Sequence, residues 1–513
     1  MKKTNRWLSS SLAIAMSLVL FLSACSNGGN DEKATNTSTP QASETAAPGA
    51  PDTKDPYEIE LAILSFTGVP KDMQMVQDEI NKITQSKINA TVKITAIPVG
   101  NWAQQTNLML NSNARLDMLI TSGTLGYSVQ AAKGQLYPLD KLLDQYGQDI
   151  KAVLEPQVLN GTKINGEIFG VPTIRDHAAS YGFVMRKDLV DKYGIDVGAI
   201  KTYEDLEKVL KTIKDNEPAI TPVVDNDVLL RTPNVDSLGG DSLGVLMNMD
   251  NLKVENYYES QEYANHLKMT RKWYQEGYIL KDAATNQTSP DKLVQSGNGF
   301  GFFNVMKPGY AAQVSRTTGM EMVTAEIIPP TSTTANITGL MWSIYKNSKN
   351  PERTMMFLNL LYSDADLINL FNWGIEGKHY VKQSDGLIDF APGVDAASTG
   401  YNPNWDYMTG NQFLSHIFKG NDPDIWNKLK TFNKEALKSK ALGFSFDAES
   451  VKTEFTALNN VLGQYQKGLG TGTLDPEKNL PDFISKLKAA GIDKVIAEKQ
   501  KQLDEWAKVN NVQ

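Results

Sequence analysis

The sequence predicts an α/β protein in which helices cover a mostly parallel sheet, with two or more folding units. Three observations support this prediction. Strand-like and helix-like segments alternate from Tyr57 onward, the pattern expected of a parallel sheet with helices on both faces. The chain has 513 residues, more than one hydrophobic core usually organises. Its 41% hydrophobic and 21% charged residues are ordinary for a globular protein.

The alternation is clearest at the start of the body. Strands are predicted over 57–66, 90–98 and 116–120, and helices over 70–84 and 101–111. The segment Thr121–Gly123 follows the third strand. Ligands of such sheets bind beyond the carboxyl ends of the strands, so this segment is a candidate binding position.

A later helix is predicted from apolar residues that repeat at helical spacing. These residues, which share one face, are Val451, Phe455, Leu458, Leu462 and Tyr465.

Charge and cysteine content exclude several classes of function. The formal net charge is −8, and the first 24 residues contribute +3, which leaves −11 on the rest. Without a cluster of Lys and Arg, the chain is not expected to bind nucleic acid. The single cysteine excludes an intramolecular disulfide framework and metal sites built from four thiolates.

The N-terminus has the layout of a secretory signal. Residues 1–24 combine a basic start, an apolar stretch and small residues, and the apolar stretch is shorter than a membrane span. Leu22 to Cys25 resembles a bacterial lipobox, which implies cleavage before Cys25 and attachment of diacylglycerol to its sulfur. The alternative, a buried core thiol, fits poorly beside the polar residues that follow. Residues 25–55 are then a lipidated cysteine and a disordered linker, because 26–54 contain no aromatic, Ile, Leu, Val or Met residue.

Four longer stretches resemble a known family. The stretches are "SYGFVMRKDLVDKYGID", "TYEDLEKVLKTIKDNEP", "NPERTMMFLNLLYSDADLINLFNWGIEGKHYV" and "LPDFISKLKAAGIDKVIAEKQKQLDEW". They are similar to extracellular solute-binding proteins of ABC importers. Within that family they resemble the carbohydrate-handling lipoproteins of Gram-positive bacteria. The resemblance implies a type 2 periplasmic-binding-protein-like clamshell, with two α/β lobes, hinge crossings and an extra C-terminal helical segment.

The resemblance also implies domain boundaries. Lobe one is expected over 57–180 with 306–346, lobe two over 183–305 with 351–440, and the C-terminal helical segment over 443–513 on either lobe. Crossings are expected near Ser180–Gly182, Phe303–Lys307 and Tyr345–Pro351.

The function implied is that of a membrane-anchored receptor on the extracellular face of the cell membrane. It would capture a carbohydrate, an oligosaccharide by preference, and deliver it to the transmembrane subunits of an ABC permease. It would act as a monomer, without catalysis and without a cofactor. Alginate-oligosaccharide binders of the wider family carry a calcium loop, but residues 214–228 here lack spaced acidic ligands around a glycine, so no metal site is expected.

Aromatic residues at strand ends, loops and hinges are candidates for stacking on sugar faces. Core packing is the alternative for each of them, because large aromatic residues usually serve burial. The candidates are Trp102, Tyr181, Tyr310, Trp342, Trp373, Tyr401 and Trp405.

Four polar residues are candidates for binding sugar hydroxyls. Ser122 lies at a strand end and Lys307 after an expected crossing, while Arg175 and Glu376 could bind hydroxyls or an acidic sugar. A hinge salt bridge is the alternative for these groups.

Two other classes of function stay open. A secreted carbohydrate-active enzyme on an α/β scaffold would need paired carboxylates, whose separation cannot be read from sequence. A surface adhesin is the third possibility. Only four histidines are present, and none of the common catalytic motifs occurs, so a binding protein is favoured over both.

Overall fold

The computed structural model describes residues 53–66, 68–112, 114–227, 229–239, 242–396 and 398–512. The predicted signal sequence, Cys25 and the linker up to residue 52 lie outside the described residues. Within the described ranges, none of the helices has both the length and the apolar character needed to cross a bilayer.

The strands are short at the periphery and longer in the two main sheets. In chain order they are β1 (Tyr57–Ser65), β2 (Ala90–Pro98), β3 (Met118–Thr121), β4 (Lys163–Ile164), β5 (Glu167–Ile168), β6 (Val171–Pro172), β7 (Ala179–Arg186), β8 (Thr221–Val223), β9 (Val245–Leu246), β10 (Val254–Glu255), β11 (Gly299–Met306), β12 (Met322–Ser332), β13 (Met341–Ile344), β14 (Tyr380–Lys382), β15 (Ile388–Phe390) and β16 (Leu437–Lys438).

Helices connect and cover these strands. They are α1 (Met73–Ile88), α2 (Trp102–Asn111), α3 (Tyr127–Ala132), α4 (Asp140–Tyr146), α5 (Gln148–Val153), α6 (Pro156–Asn160), α7 (Lys187–Lys192), α8 (Tyr203–Asn216), α9 (Gln261–Gln275), α10 (Pro290–Gln295), α11 (Tyr310–Thr318), α12 (Thr334–Ile337), α13 (Pro351–Ser363), α14 (Ala365–Trp373), α15 (Ile425–Glu435), α16 (Lys452–Gly470), α17 (Pro476–Ala489) and α18 (Ile492–Val509).

Sheet one has the strand order β2-β1-β3-β13-β6. Strands β1, β2 and β3 are parallel, and Leu61 pairs with both Ile94 and Met118. Strand β13 runs antiparallel to β3 and β6. The predicted β-α-β-α-β order at the start of the body is confirmed by β1, α1, β2, α2 and β3. Ile59 and the run from Leu61 to Leu64 are buried, as expected for a strand inside a parallel sheet.

Sheet two has the order β16-β12-β7-β11-β8. Its central strand β7 is antiparallel to β11 and β12, and Phe183 pairs with both Phe303 and Ala325. A glycine is required at Gly182, because a Cβ there would lie 2.0 Å from the carbonyl oxygen of Ala325. The name lobe one is used for sheet one together with the segments that pack in its core. Lobe two is sheet two together with its own core.

The distribution of segments between the lobes differs from the expected boundaries. Strand β12, expected in lobe one, pairs with β7 in sheet two, and its Ala325 and Ile328 are buried in the lobe-two core. Helices α13 and α14, expected in lobe two, bury Phe357 and Phe371 in the lobe-one core. Each segment packs in the lobe whose core accepts its apolar face. The local sequence pattern does not show which distant strand or core that is.

The crossings move accordingly. The first crossing covers 173–178, between β6 and β7, close to the expected position. The second covers 333–340, between β12 and β13, and not Phe303–Lys307. The third lies within 409–436, after the lobe-one residue Met408 and before β16 of sheet two, and not at Tyr345–Pro351.

The C-terminal helical segment packs on lobe two. A core formed by α16, α17 and α18 includes Tyr258, Tyr263 and Leu267 of the lobe-two region around α9. The fully buried Lys499 of α18 donates a hydrogen bond to the Gly244 carbonyl oxygen, at 3.0 Å. The predicted helical face of α16 is confirmed, because Leu458 and Leu462 are buried in this core.

Candidate functional site

The candidate site lies where the strand ends of the two sheets are linked by the first crossing. In sheet one, Met341 pairs with both Thr121 and Pro172, so β3 and β6 end at the same edge. In sheet two, Ser180 pairs with Met306, so β7 begins where β11 ends. The six-residue crossing between them spans at most about 20 Å. We use the name strand-end edges for two places: the edge of sheet one at which β3 and β6 end, and the edge of sheet two at which β11 ends and β7 begins.

Ser122 lies at the lobe-one strand-end edge, where it is expected. Its hydroxyl accepts a hydrogen bond from the Thr124 backbone N–H, at 3.2 Å, and its side chain is 2% exposed. The next residue, Gly123, donates its N–H to the Thr338 carbonyl oxygen, at 2.9 Å. The Ser122 hydroxyl therefore stabilises its own turn.

Four of the aromatic candidates are core residues of lobe one. The indole N–H groups of Trp342 and Trp405 donate to the carbonyl oxygens of Met408 and Leu64, at 2.9 and 2.8 Å. Tyr401 donates its hydroxyl to a carbonyl oxygen inside the same lobe, and Trp102 is 2% exposed. The expectation that these side chains face the cleft is contradicted, because their faces are buried and the polar atoms of Trp342, Trp405 and Tyr401 are bonded within the lobe.

Trp373 and Glu376 lie at the end of α14 and in the loop that follows it. Trp373 is half-buried and donates its indole N–H to the Ser415 hydroxyl oxygen, at 2.9 Å. Glu376 is exposed and pairs with Lys382, at 2.9 Å. Glu376 also lines a surface cavity of about 330 Å³ beside α1 and α14.

Two of the polar candidates meet at the first crossing. The Arg175 Nε is 2.7 Å from Asp176 Oδ1, and the Lys307 Nζ is 3.3 Å from the same oxygen. The Arg175 guanidinium carbon lies 5.5 Å from the ring centroid of Tyr407. We call Arg175, Asp176, Lys307 and Tyr407 the crossing cluster.

Charge pairing dominates the electrostatics of this cluster. Burial by itself would raise the pKa of Asp176, but its hydrogen bond and charge interaction with Arg175 hold that pKa below its usual range. The carboxylate is therefore ionised at neutral pH. Neighbouring Asp406 is half-buried, and its desolvation raises its pKa. The cluster joins the crossing to both lobes, because Lys307 follows β11 and Tyr407 belongs to lobe one.

Tyr181 is buried at the start of β7, beneath an arginine. Its ring stacks on Phe303 with centroids 5.9 Å apart, and its hydroxyl donates to the Leu229 carbonyl oxygen. The guanidinium carbon of the exposed Arg231 lies 4.4 Å above the same ring. Arg231 is a site candidate that the sequence reasoning missed, although "LLRTPN" shows an apolar run ending at a polar turn.

The lobe-two strand-end edge carries further polar groups. The Asn304 amide donates to the Tyr310 hydroxyl oxygen at 2.5 Å, and burial raises the pKa of Tyr310 to about 12. Asp225 follows β8, which runs parallel to β11, and accepts the Phe303 N–H at 2.7 Å. Burial raises the pKa of Asp225 to about 8. A protonated carboxyl, an amide and a phenol at one edge suit the hydroxyl groups of a neutral ligand.

The lobe-one strand-end edge offers an exposed aromatic ring. Phe66 directly follows β1 and is 52% exposed. Because β1 and β3 are parallel, Phe66 and Ser122 follow strands that end at the same edge. Among the described residues, no group of three His, Cys, Asp or Glu side chains could hold a metal ion.

Comparisons with known proteins agree with this architecture. The family model described as "Bacterial extracellular solute-binding protein" matches residues 69–367, more than half of the chain. A "Domain of unknown function (DUF3502)" matches residues 440–508. A carbohydrate ABC transporter substrate-binding protein of Streptococcus pneumoniae is 32% identical over 448 residues, which cover 86% of this chain and 89% of that protein.

Two further relatives are informative. Lipoprotein LipO of Bacillus subtilis is 23% identical, over 65% of this chain and 69% of its own length. The N-glycan transport solute-binding protein NgtS of S. pneumoniae is 30% identical, and its crystal structure covers 88% of this chain and 99% of its own, with a TM-score of 0.79. Crystal structures of NgtS in complex with Man1GlcNAc and with Man5GlcNAc, at the same identity, have TM-scores of 0.68 and 0.64 and cover 88% of this chain and 100% and 99% of their own.

The matches cover both lobes, and the two-lobed α/β architecture agrees with them. The predicted family and fold class are confirmed, and the chain belongs to the bacterial extracellular solute-binding protein family.

Proposed function

We propose that this chain is the substrate-binding protein of an ABC importer and captures an oligosaccharide between its two lobes. The observation that carries the proposal is the pair of strand-end edges, one with an exposed aromatic ring and the other with polar groups, linked by one six-residue crossing. The carbohydrate ABC transporter substrate-binding protein at 32% identity supports it independently. The captured oligosaccharide is delivered to the transmembrane subunits of a permease.

The ligand is a neutral oligosaccharide that contains mannose and N-acetylglucosamine. NgtS has been crystallised with Man1GlcNAc and with Man5GlcNAc, which supports this ligand class. The groups at the lobe-two edge also suit hydroxyls and acetamides, because they offer hydrogen-bond donors and acceptors with little net charge. The sugar closes the lobes through its greater affinity for the closed form.

The binding residues differ in part from those expected. The exposed Phe66 and the half-buried Tyr407 supply the rings. Arg231 and Lys307 donate hydrogen bonds, and Asn304 with Tyr310 completes the lobe-two side. Arg175 and Asp176 position Lys307. Trp373 and Glu376 are retained only as peripheral candidates, and Ser122 acts through its turn.

The mature protein is held at the outer face of the cell membrane. Cleavage after residue 24 and acylation of Cys25, including palmitate-type chains, provide the anchor, and residues up to 55 form the linker. The relationship to Lipoprotein LipO supports this arrangement. Several acyl chains together anchor a protein stably. The protein acts as a monomer and does not turn its ligand over.

Calorimetric titration of the mature protein with Man1GlcNAc tests the proposal. The expected result is saturable one-to-one binding, with the sugar recovered chemically unchanged after incubation. Release of a shorter sugar would instead support the carbohydrate-active enzyme. Absence of binding to Man1GlcNAc, Man5GlcNAc and a panel of other oligosaccharides would favour the adhesin.

A further inference from the structure

A second cavity, of about 270 Å³, lies where the crossings meet. Its walls include Ile174 and His177 of the first crossing, Ile337 of the second and Asn433 of the third. The junction of α5 and α6 in lobe one completes it. The residues that line it do not include those at the carboxyl ends of β1, β2, β3 or β11. We call this space the hinge cavity.

The floor of the hinge cavity is apolar. Its lining includes the buried side chains of Leu154, Val158, Ile174 and Ile337, and the half-buried Phe413 lies beside them. A ligand body that fills the cavity packs against these side chains, and the half-buried Phe413 ring supplies apolar surface that it removes from water.

The rim of the cavity is cationic. Lys430, Lys434 and Lys438 line it, and Lys438 pairs with Glu155 at 2.6 Å. Over the described ranges, neither Lys430 nor Lys434 has a carboxylate oxygen within 4.0 Å. The two are four residues apart on α15, so they share one helix face and repel each other. Two uncompensated positive charges therefore stand at the mouth of an apolar cavity, in a chain whose net charge is −8.

Solvated surface lysines are the ordinary alternative, and Lys434 also interacts favourably with the C-terminus of α15. The placement of Lys430 argues against a purely solvated role, because its Nζ lies 5.5 Å from the ring centroid of the cavity residue Phe413. His177 adds no charge at neutral pH, since burial lowers its pKa and its Nε2 is bonded to the Thr173 carbonyl oxygen.

We propose that the hinge cavity binds a small apolar carboxylic acid as its anion, with the apolar body on the floor and the carboxylate between Lys430 and Lys434. The cavity combines lysines with apolar side chains, unlike the uncharged Asn304 and Tyr310 at the lobe-two strand-end edge, and it shares the first crossing with Arg175 and Asp176.

An occupant of this cavity is coupled to lobe movement. Because its walls come from all the crossings, the dimensions of the cavity depend on the relative position of the lobes. A ligand that fits one form better shifts the equilibrium toward that form, and the acid and the sugar then change each other's affinity by the same factor. This coupling rests on the proposed function, whereas binding of the acid does not.

Titration of the mature protein with 3-phenylpropionate, without sugar, tests the site. Saturable one-to-one binding is expected, at least tenfold tighter than for 3-phenylpropionamide, which lacks the charge, and for inorganic phosphate, which lacks the apolar body. The double variant Lys430→Gln/Lys434→Gln should lose at least tenfold in affinity for the acid. The matched control Lys452→Gln/Lys478→Gln, at positions 72% and 80% exposed on α16 and α17, should bind like the unmodified protein.

The proposal would be overturned if the protein bound 3-phenylpropionate and 3-phenylpropionamide with equal affinity. It would also be overturned if the two double variants bound the acid with equal affinity. The absence of saturable binding would overturn it as well. Since all four lysines are exposed, an unchanged melting curve establishes that the variants are folded. If the acid binds but leaves the Kd for Man1GlcNAc unchanged, the coupling is wrong and the site stands. If Man1GlcNAc and the wider panel fail to bind, the proposed function fails independently.

Discussion

Lys307 and Asp176 form an ion pair, at 3.3 Å, that ties the end of the lobe-two strand β11 to the first crossing. The same Asp176 oxygen is bonded to Arg175. One carboxylate therefore holds two cations at the border between the lobes. The carboxylate is 14% exposed, so loss of its charge leaves both cations without their partner in a partly dehydrated place.

Asp176→Asn should lower the free energy of unfolding by about 1–3 kcal/mol at neutral pH. Since the pKa of Asp176 is depressed in the folded protein, its ionised form stabilises the fold above the ordinary carboxyl pKa, and this contribution is lost as pH falls through the folded pKa. Thermal melting at pH 7 and pH 3 should therefore show a large difference between variant and parent at pH 7 and a smaller one at pH 3. Asp144→Asn, at an ion pair with Lys151 whose carboxylate is 69% exposed, is the control and should change stability by less than about 0.5 kcal/mol. An equal difference at both pH values would contradict the ionised pairing.

Arg231→Ala should weaken oligosaccharide binding about tenfold with little change in melting temperature. The guanidinium is exposed, so its contact with the Tyr181 ring contributes only about 0.5–1 kcal/mol to stability. Loss of a charged hydrogen-bond donor to the sugar should cost about 1.5 kcal/mol of binding free energy. Calorimetric titration with Man1GlcNAc measures the effect. Arg115→Ala, in lobe one and 49% exposed, should bind the sugar like the parent. If both variants bind like the parent, Arg231 is not part of the site.

Phe66→Ala and Trp405→Phe should separate binding from stability. Phe66→Ala removes an exposed ring at the lobe-one edge, so sugar affinity should fall while the melting temperature stays within experimental error.

Trp405→Phe removes the donor to the Leu64 carbonyl oxygen in a buried core, and should cost about 1–3 kcal/mol of stability. Its sugar affinity, measured well below the melting temperature, should be unchanged. The opposite pattern would return Trp405 to the binding site.

Asp225→Asn should make the protein more stable than the parent at alkaline pH. The folded pKa of Asp225 is raised to about 8, so the folded state holds a proton that the unfolded state has released above the ordinary carboxyl pKa. Stability of the parent therefore falls as pH rises from about 4 to 8, and the variant lacks this dependence. Melting temperatures should be measured for both proteins at pH 5, 7 and 9. The melting temperature of the variant minus that of the parent should increase from each pH to the next. A constant difference would mean that Asp225 is ionised in the fold.

The local parts of the fold were predictable from the sequence. The opening strands and helices and the buried face of α16 follow from apolar spacing alone. The lobe membership of β12 and α13 was not predictable, because it depends on which distant strand or core accepts an apolar face.

The site was only partly predictable for the same kind of reason. Arg175 was selected for its hydrogen-bonding capacity and Lys307 for its place after an expected crossing, which the structure puts elsewhere. Their shared partner Asp176 was not identified. Trp342 and Trp405 have loop-like or hinge-like surroundings in sequence, yet carbonyl groups of Met408 and Leu64 make burial of their indoles favourable. Arg231 was missed because its significance comes from Tyr181, 50 positions earlier in the chain.

Small-angle X-ray scattering of the mature protein, with and without saturating oligosaccharide, tests most directly whether the lobes close around a sugar. A ligand identified by titration is used, at a concentration that occupies all sites. The radius of gyration should fall on saturation, and the two scattering curves should differ beyond noise. Superimposable curves at full occupancy would contradict closure of the two lobes as the basis of recognition.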